Sequence, residues 1–246
     1  MNFRGTSSVW VGALCISLLA ACGGGGGGDT PATVIPPPVV TPPPTTASFP
    51  LAAGFKARID AGVSDTFEIS DGCTGTSTIT LAPATPATFE GVTGVASPQT
   101  STATLNNCTP ASSSSAGFTY YNAAYANVGL AVTGGEYAVF QAAPTALPAT
   151  ARIGDSGTIV TLNTYNNSSK ATLTGTRVIK WRVEADGTST TSAIFNLVIE
   201  NYNTSNLLLS TQQSRYRMAQ SGALAITTID VQFSGTSRLH LLYTKR

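Results

Sequence analysis

Thr176-Arg177-Val178-Ile179-Lys180-Trp181-Arg182-Val183-Glu184-Ala185-Asp186-Gly187 is the stretch that decides the fold. Ile179, Trp181 and Val183 fall on one side of it, and Lys180, Arg182 and Glu184 on the other. Alternation with a period of two marks a half-buried strand, because a strand sends successive side chains to opposite faces. The stretch ends in Asp186-Gly187, a pair suited to a tight hairpin turn. The same pattern extends on both sides. Strands are predicted at 157–165, 171–186, 190–202, 207–219, 223–233 and 237–244, joined by short polar connections such as Asn166-Asn167-Ser168, Ser221-Gly222 and Ser234-Gly235. Tyr216 and Met218 oppose Arg215 and Arg217, while Ile229, Val231 and Phe233 line one side of their strand, as do Leu239, Leu241 and Tyr243. No proline follows Pro148, and proline is the residue that a ladder of paired strands excludes. Residues 149–246 are therefore predicted to form an antiparallel meander with one buried face and one wet, cation-rich face. Strand 190–202 is apolar on both faces, which predicts cover from both sides, the second supplied by the N-terminal half.

Residues 50–148 carry a weaker version of the same signal. Phe55-Lys56-Ala57-Arg58-Ile59-Asp60 alternates and predicts a strand, as do 67–69, 78–81, 102–105, 118–121 and 136–141. Pro83, Pro86, Pro98 and the serine run 112–115 predict loops between them. The expected class is all-β and antiparallel, a C-terminal β-meander packed with a smaller, irregular N-terminal β region. Charge divides along the same line. Residues 59–151 hold six acidic residues and no Lys or Arg, whereas 152–246 hold ten basic and five acidic residues. Opposite signs are open to three readings: docking of the two halves, two surfaces with different partners, or accident in a weakly charged chain.

The first 49 residues are of another kind. Arg4 is the only charge before an apolar run at 9–21, which ends in Leu19-Ala20-Ala21-Cys22. At ~1.5 Å per residue that run makes about 20 Å of helix, short of the ~30 Å hydrocarbon core, so it reads as a secretory signal and not a span. A glycine run, 23–28, and a segment holding eight of the 14 prolines, 30–50, come next. Together they form a tether, 22–49, in which extended polyproline II at ~3.1 Å per residue gives residues 30–49 alone a reach of roughly 60 Å.

Leu19-Ala20-Ala21-Cys22 resembles the lipobox of bacterial lipoproteins. The resemblance implies cleavage after residue 21, a diacylglycerol thioether on the Cys22 sulfur and an acyl chain such as palmitate on its amine. Several chains anchor a protein stably where one is marginal. Gly23, where an aspartate would imply inner-membrane retention, implies the outer membrane. That compartment oxidises thiols. Cys15 leaves with the signal and Cys22 is acylated, so Cys73 and Cys108 are expected to form a disulfide.

Without Arg4 the mature chain has a net charge of zero, which gives no electrostatic case for nucleic acid. P-loop, C-x-x-C, EF-hand and H-E-x-x-H patterns do not occur, and G-x-G-x-x-G is matched only by the glycine homopolymer 23–28, which is not a phosphate cradle. The single histidine, His240, falls on the outward side of its strand beside Arg238. No catalytic residue, cofactor or metal is assigned. Glu68, Glu90 and Glu136 are candidates for a paired-carboxylate site. Tyr120, Tyr121, Tyr125 and Tyr137 are the candidate ligand surface, since aromatic rings combine an apolar face with a polar tip. The expected function is that of a membrane-anchored secreted lipoprotein whose β-domain binds an envelope protein or glycan, or is structural, and is not enzymatic. A hydrolase of polysaccharide or peptidoglycan and an accessory subunit of an outer-membrane complex stay open as alternatives.

Overall fold

The computed structural model describes residues 47–234 and 239–246, together with two short strands, β1 (Ser8–Val11) and β2 (Leu14–Ser17), which pair with each other. Cys22 and most of the tether lie outside the described residues.

The strands of the domain are β3 (Val63–Ser70), β4 (Thr74–Leu81), β5 (Thr85–Phe89), β6 (Val92–Asn106), β7 (Ser112–Asn122), β8 (Asn127–Val132) and β9 (Tyr137–Phe140) in the N-terminal half. The C-terminal half supplies β10 (Ser156–Tyr165), β11 (Leu173–Ala185), β12 (Ser192–Asn203), β13 (Leu208–Ala219), β14 (Leu224–Phe233) and β15 (His240–Lys245). Neighbours in the sheet are antiparallel. β15 pairs with β3 and β4 pairs with β6, so the sheet closes into a 12-strand barrel, with β5 as an extra strand beside β6. The predicted meander is present as β10–β15. Ile179, Trp181 and Val183 point inward and are buried, while Lys180 reaches Glu200 at 2.8 Å and Arg217 reaches Asp186 at 2.8 Å across the outer face.

The two halves join edge to edge, not face to face, and this corrects the expectation for 190–202. Ile194, Val198 and Tyr202 of β12 are half-buried on the outside of the barrel. Their neighbours across the sheet include Lys180, Arg182, Gln213 and Arg217, whose aliphatic stems shield apolar surface while their polar ends stay wet. The opposite charges of the halves meet where the halves meet. At the β15–β3 seam Lys245 bonds Asp65, and Arg246 reaches Glu68 at 2.9 Å. Near the β9–β10 seam Arg177 lies 2.9 Å from Glu136, and Lys170 lies 2.8 Å from Glu90.

Phe55–Asp60 is not a strand. It belongs to α1 (Leu51–Ala61), the one helix among the described residues, which plugs one end of the barrel. Leu51, Phe55 and Ile59 recur at the four-residue spacing of a helix face and are all buried. Phe55 meets Tyr121 and Phe195 edge-on, with ring centroids 6.1 and 6.2 Å apart. Arg58 donates to Asp65 at 2.9 Å and lies over the Tyr216 ring. Gly62, with φ +67, ends the helix. At the far end the barrel interior turns polar. Arg177 donates through Nε to Asn201 Oδ1 at 2.7 Å, and Asn201 donates to Ser210 Oγ at 3.1 Å. Burial pushes the Glu136 carboxyl up, against the pull of Arg177.

Three predicted loops are strands. Pro86 lies in β5, whose second edge has no strand partner among the described residues and therefore tolerates a residue without an N–H. Pro98 lies in β6 between the part paired with β5 and the part paired with β4. Serines 112–115 open β7. No described helix is long and apolar enough to cross a membrane. The outward faces carry ion pairs on β11–β13 and hydroxyls on β4 and β6.

Candidate functional site

The four candidate tyrosines do not share one surface. Tyr120 and Tyr121 are consecutive on β7, so the pleat sends one out and one in. Tyr121 is buried beneath Phe55, and burial pushes its hydroxyl well above the usual phenol range. Tyr125 sits in the β7–β8 turn at φ +58, its ring 6.5 Å from that of Tyr121. Its hydroxyl donates to Asp60, and the Lys56 ammonium lies 4.6 Å above its ring. Lys56 and Tyr125 together hold the Asp60 carboxyl below its ordinary range. These two tyrosines thus fasten α1. With Phe55, Asn127 and the aliphatics Ile179 and Leu197 they enclose a cavity of about 20 Å³. Tyr121 Oη and Asn127 Oδ1 have no hydrogen-bond partner among the described residues, and a space of that size suits a single water.

Tyr120 and Tyr137 stand on the outside, around Phe89. The Phe89 and Tyr120 rings stack with centroids 4.1 Å apart and planes 17° apart, and Tyr137 leans on Phe89 at 5.3 Å. Phe118, two residues before Tyr120 on the same face, lies 6.2 Å from it with planes 28° apart. The stack exists because the β5–β6 hairpin folds over β7 and β8. Gly129 makes room, since a Cβ there would lie 2.4 Å from the Phe89 ring. Glu90, in the hairpin turn, accepts from Tyr137 Oη at 2.7 Å and from Lys170 Nζ at 2.8 Å. Lys170 first and Tyr137 second hold the Glu90 carboxyl below its ordinary range. The rings are therefore clamped in place, with Phe118 at the open end, 43% exposed. Phe89 and Phe118 are not among the residues predicted from sequence, although the spacing of Phe118 and Tyr120 signals a shared face.

Glu68, Glu90 and Glu136 are not brought together. Glu68 faces outward on β3, Glu90 caps the hairpin and Glu136 is buried inside, each beside its own cation. His240 Nε2 lies 3.1 Å from Asp230 Oδ1. Among the described residues no group of three His, Cys, Asp or Glu side chains is placed to hold a metal. Cys73 and Cys108 stand at disulfide distance, Cα atoms 5.8 Å apart, at the rim opposite α1. No protein-family model, curated protein or solved structure matches the chain.

Proposed function

We propose that this chain is an outer-membrane lipoprotein, anchored by acyl chains on Cys22, whose barrel is a non-enzymatic binding module mounted on the tether 22–49. The observation that carries the binding role is the clamped ring stack. Phe89, Tyr120 and Phe118 are stacked outside the barrel by a dedicated hairpin and by the Glu90–Tyr137–Lys170 cluster, with Phe89 buried in the stack, Tyr120 half-buried and Phe118 open to solvent. Preordered aromatic rings lose little conformational entropy when they meet a ligand. The candidate carboxylates, in contrast, are each bound to a separate cation on a separate element.

Fractionation and a turnover assay test both parts. The Cys22→Ser variant should leave the membrane fraction while the parent stays in it. Its retention there would overturn the anchor. The purified mature protein should release no soluble fragments from peptidoglycan or from envelope polysaccharide. Catalytic release, lost on neutralising Glu68 or Glu90, would overturn the non-enzymatic reading in favour of a hydrolase.

A further inference from the structure

We propose that the outer face of β4, β6 and β7, ending at Phe118, docks a neutral glycan chain; this rests on the binding-module reading above and names its ligand class. The register lays hydroxyl side chains out as a grid. Thr78, Thr102 and Ser114 stand level with one another across the three strands. So do Thr76, Thr104 and Ser112, one step further along. On the other side Thr80 and Thr100 stand level with Ala116, whose small side chain leaves the space next to Phe118 open. Strand geometry spaces such a grid at about 4.8 Å across strands and about 6.7 Å along them. From Ser112 to Phe118 it runs roughly 20 Å, enough for several sugar units in line.

Three properties of this face select the ligand. First, none of these outward positions is charged, whereas the outer face of β11–β13 carries Lys180, Arg182, Glu184, Arg215 and Arg217. A phosphate, an anionic headgroup or a polyanion would find no counter-charge here, and a neutral ligand needs none. Second, Thr100, Thr102, Thr104, Ser112 and Ser114 are exposed. Each hydroxyl is both donor and acceptor, the same pair of roles that a sugar hydroxyl brings. Third, Phe118 supplies an apolar ring at the end of the grid, matching the C–H face of a pyranose while its hydroxyl rim lies over the threonines. Thr78 and Thr80 already bond Thr66 and Ser64 of β3, at 3.4 and 2.9 Å, but a purely apolar partner would strip water from the exposed Thr100, Thr102 and Thr104 without replacing its hydrogen bonds, at a cost.

Native affinity gels test this with the purified mature protein. The gels hold hydroxyethylcellulose, dextran or galactomannan, with alginate as the polyanion. At least one neutral glycan should retard the protein. Phe118→Ala should weaken that retardation tenfold or more, and Thr102→Val, which keeps shape and strand preference, should weaken it severalfold. Arg182→Ala on the opposite face should change nothing. Unchanged thermal melting and Trp181 emission show that the variants are folded. Retardation equal in parent, Phe118→Ala and Thr102→Val would overturn this surface while leaving a binding module in place. Retardation by alginate alone, or by none of the neutral glycans, would overturn the ligand class. A parent that sediments as a dimer, with Phe118→Ala a monomer, would overturn it in favour of a contact between copies.

Discussion

Replacing Gly54 with Ala separates a docked helix from a free one by the sign of the effect. In an exposed helix interior, alanine is better than glycine by ~1 kcal/mol. Gly54 instead abuts the turn between β13 and β14, where an added Cβ would lie 1.9 Å from the Gly222 carbonyl oxygen and 2.9 Å from its carbon. Non-bonded heavy atoms sit comfortably at about 3.5 Å, so helix or turn must retreat by roughly 1.5 Å. Neither is free to do so. Pro50 packs on Gly222, itself held at φ +88, and Phe55 is wedged between Tyr121 and Phe195. Overpacking costs ~1–3 kcal/mol, and with backbone on both sides the upper end applies. Set against the helix preference, the net loss is about 2 kcal/mol. Guanidinium unfolding of the purified mature protein, followed by Trp181 emission, reads the difference as a lower midpoint with unchanged slope. Ala57, exposed on the same helix, is the control, and Ala57→Gly should lose ~1 kcal/mol from helix preference alone. If Gly54→Ala raises stability by ~1 kcal/mol, α1 does not plug the barrel and the packing described for it is wrong.

Trp181→Ala should cost about 3–5 kcal/mol, because Trp181 is 8% exposed in the core, and emission from the folded parent should resist iodide. Arg182→Ala, one residue on but facing solvent, should cost under ~1 kcal/mol, and equal losses from the two would show that the strand faces the other way. Mass spectrometry of non-reduced peptides should find Cys73 linked to Cys108, a bond closing 35 positions and worth roughly 3–4 kcal/mol, whereas two freely alkylated thiols would refute it. Burial alone would raise the Asp65 carboxyl, but Lys245 and Arg58 outweigh it and the net shift is downward from 3.8. Its contribution is therefore complete above that value and fades as pH falls through the lower folded value. Asp65→Asn should cost about 3–5 kcal/mol at neutral pH and make stability flatter below pH ~4, and an undiminished acid slope would show that the pair does not form.

The meander was legible because its information is local. In β11 and β13–β15 a period of two assigns the faces, and Asp186-Gly187 marks a connection, although that connection runs over residues 186–191 and is not a tight two-residue turn. Phe55–Asp60 misleads because its alternation fits a strand while Leu51, Phe55 and Ile59 fit a helix equally well. The choice is made by Tyr121 and Phe195, far away in sequence. Barrel closure is likewise non-local, since the β15–β3 pairing joins the two ends of the domain. The tyrosine cluster fails for a plainer reason. Alternation within 118–121 already places Tyr120 and Tyr121 on opposite faces, and that parity groups Tyr120 with Phe118. What sequence lacks is the fold-back of the β5–β6 hairpin that brings in Phe89 and Tyr137.

The charge division between the halves links closure to function. A barrel whose first and last strands pair must bring distant segments together and hold one register. Four of the six acidic residues in 59–151 do this work across the halves, Asp65 with Lys245, Glu68 with Arg246, Glu90 with Lys170 and Glu136 with Arg177, and a fifth, Asp71, lies 3.7 Å from the His240 ring. The sixth, Asp60, holds Lys56 and Tyr125 on the plug. A one-residue slip at the β15–β3 seam would turn Tyr243 outward and part Arg246 from Glu68, so burial and charge enforce the same register. Engaging these acids at the seams and the plug leaves the N-terminal half with no charge on the outer rows of β4, β6 and β7. The neutral hydroxyl face beside Phe118 is thus the counterpart of the ionic closure, and both follow from where a sparsely charged chain places its few carboxylates.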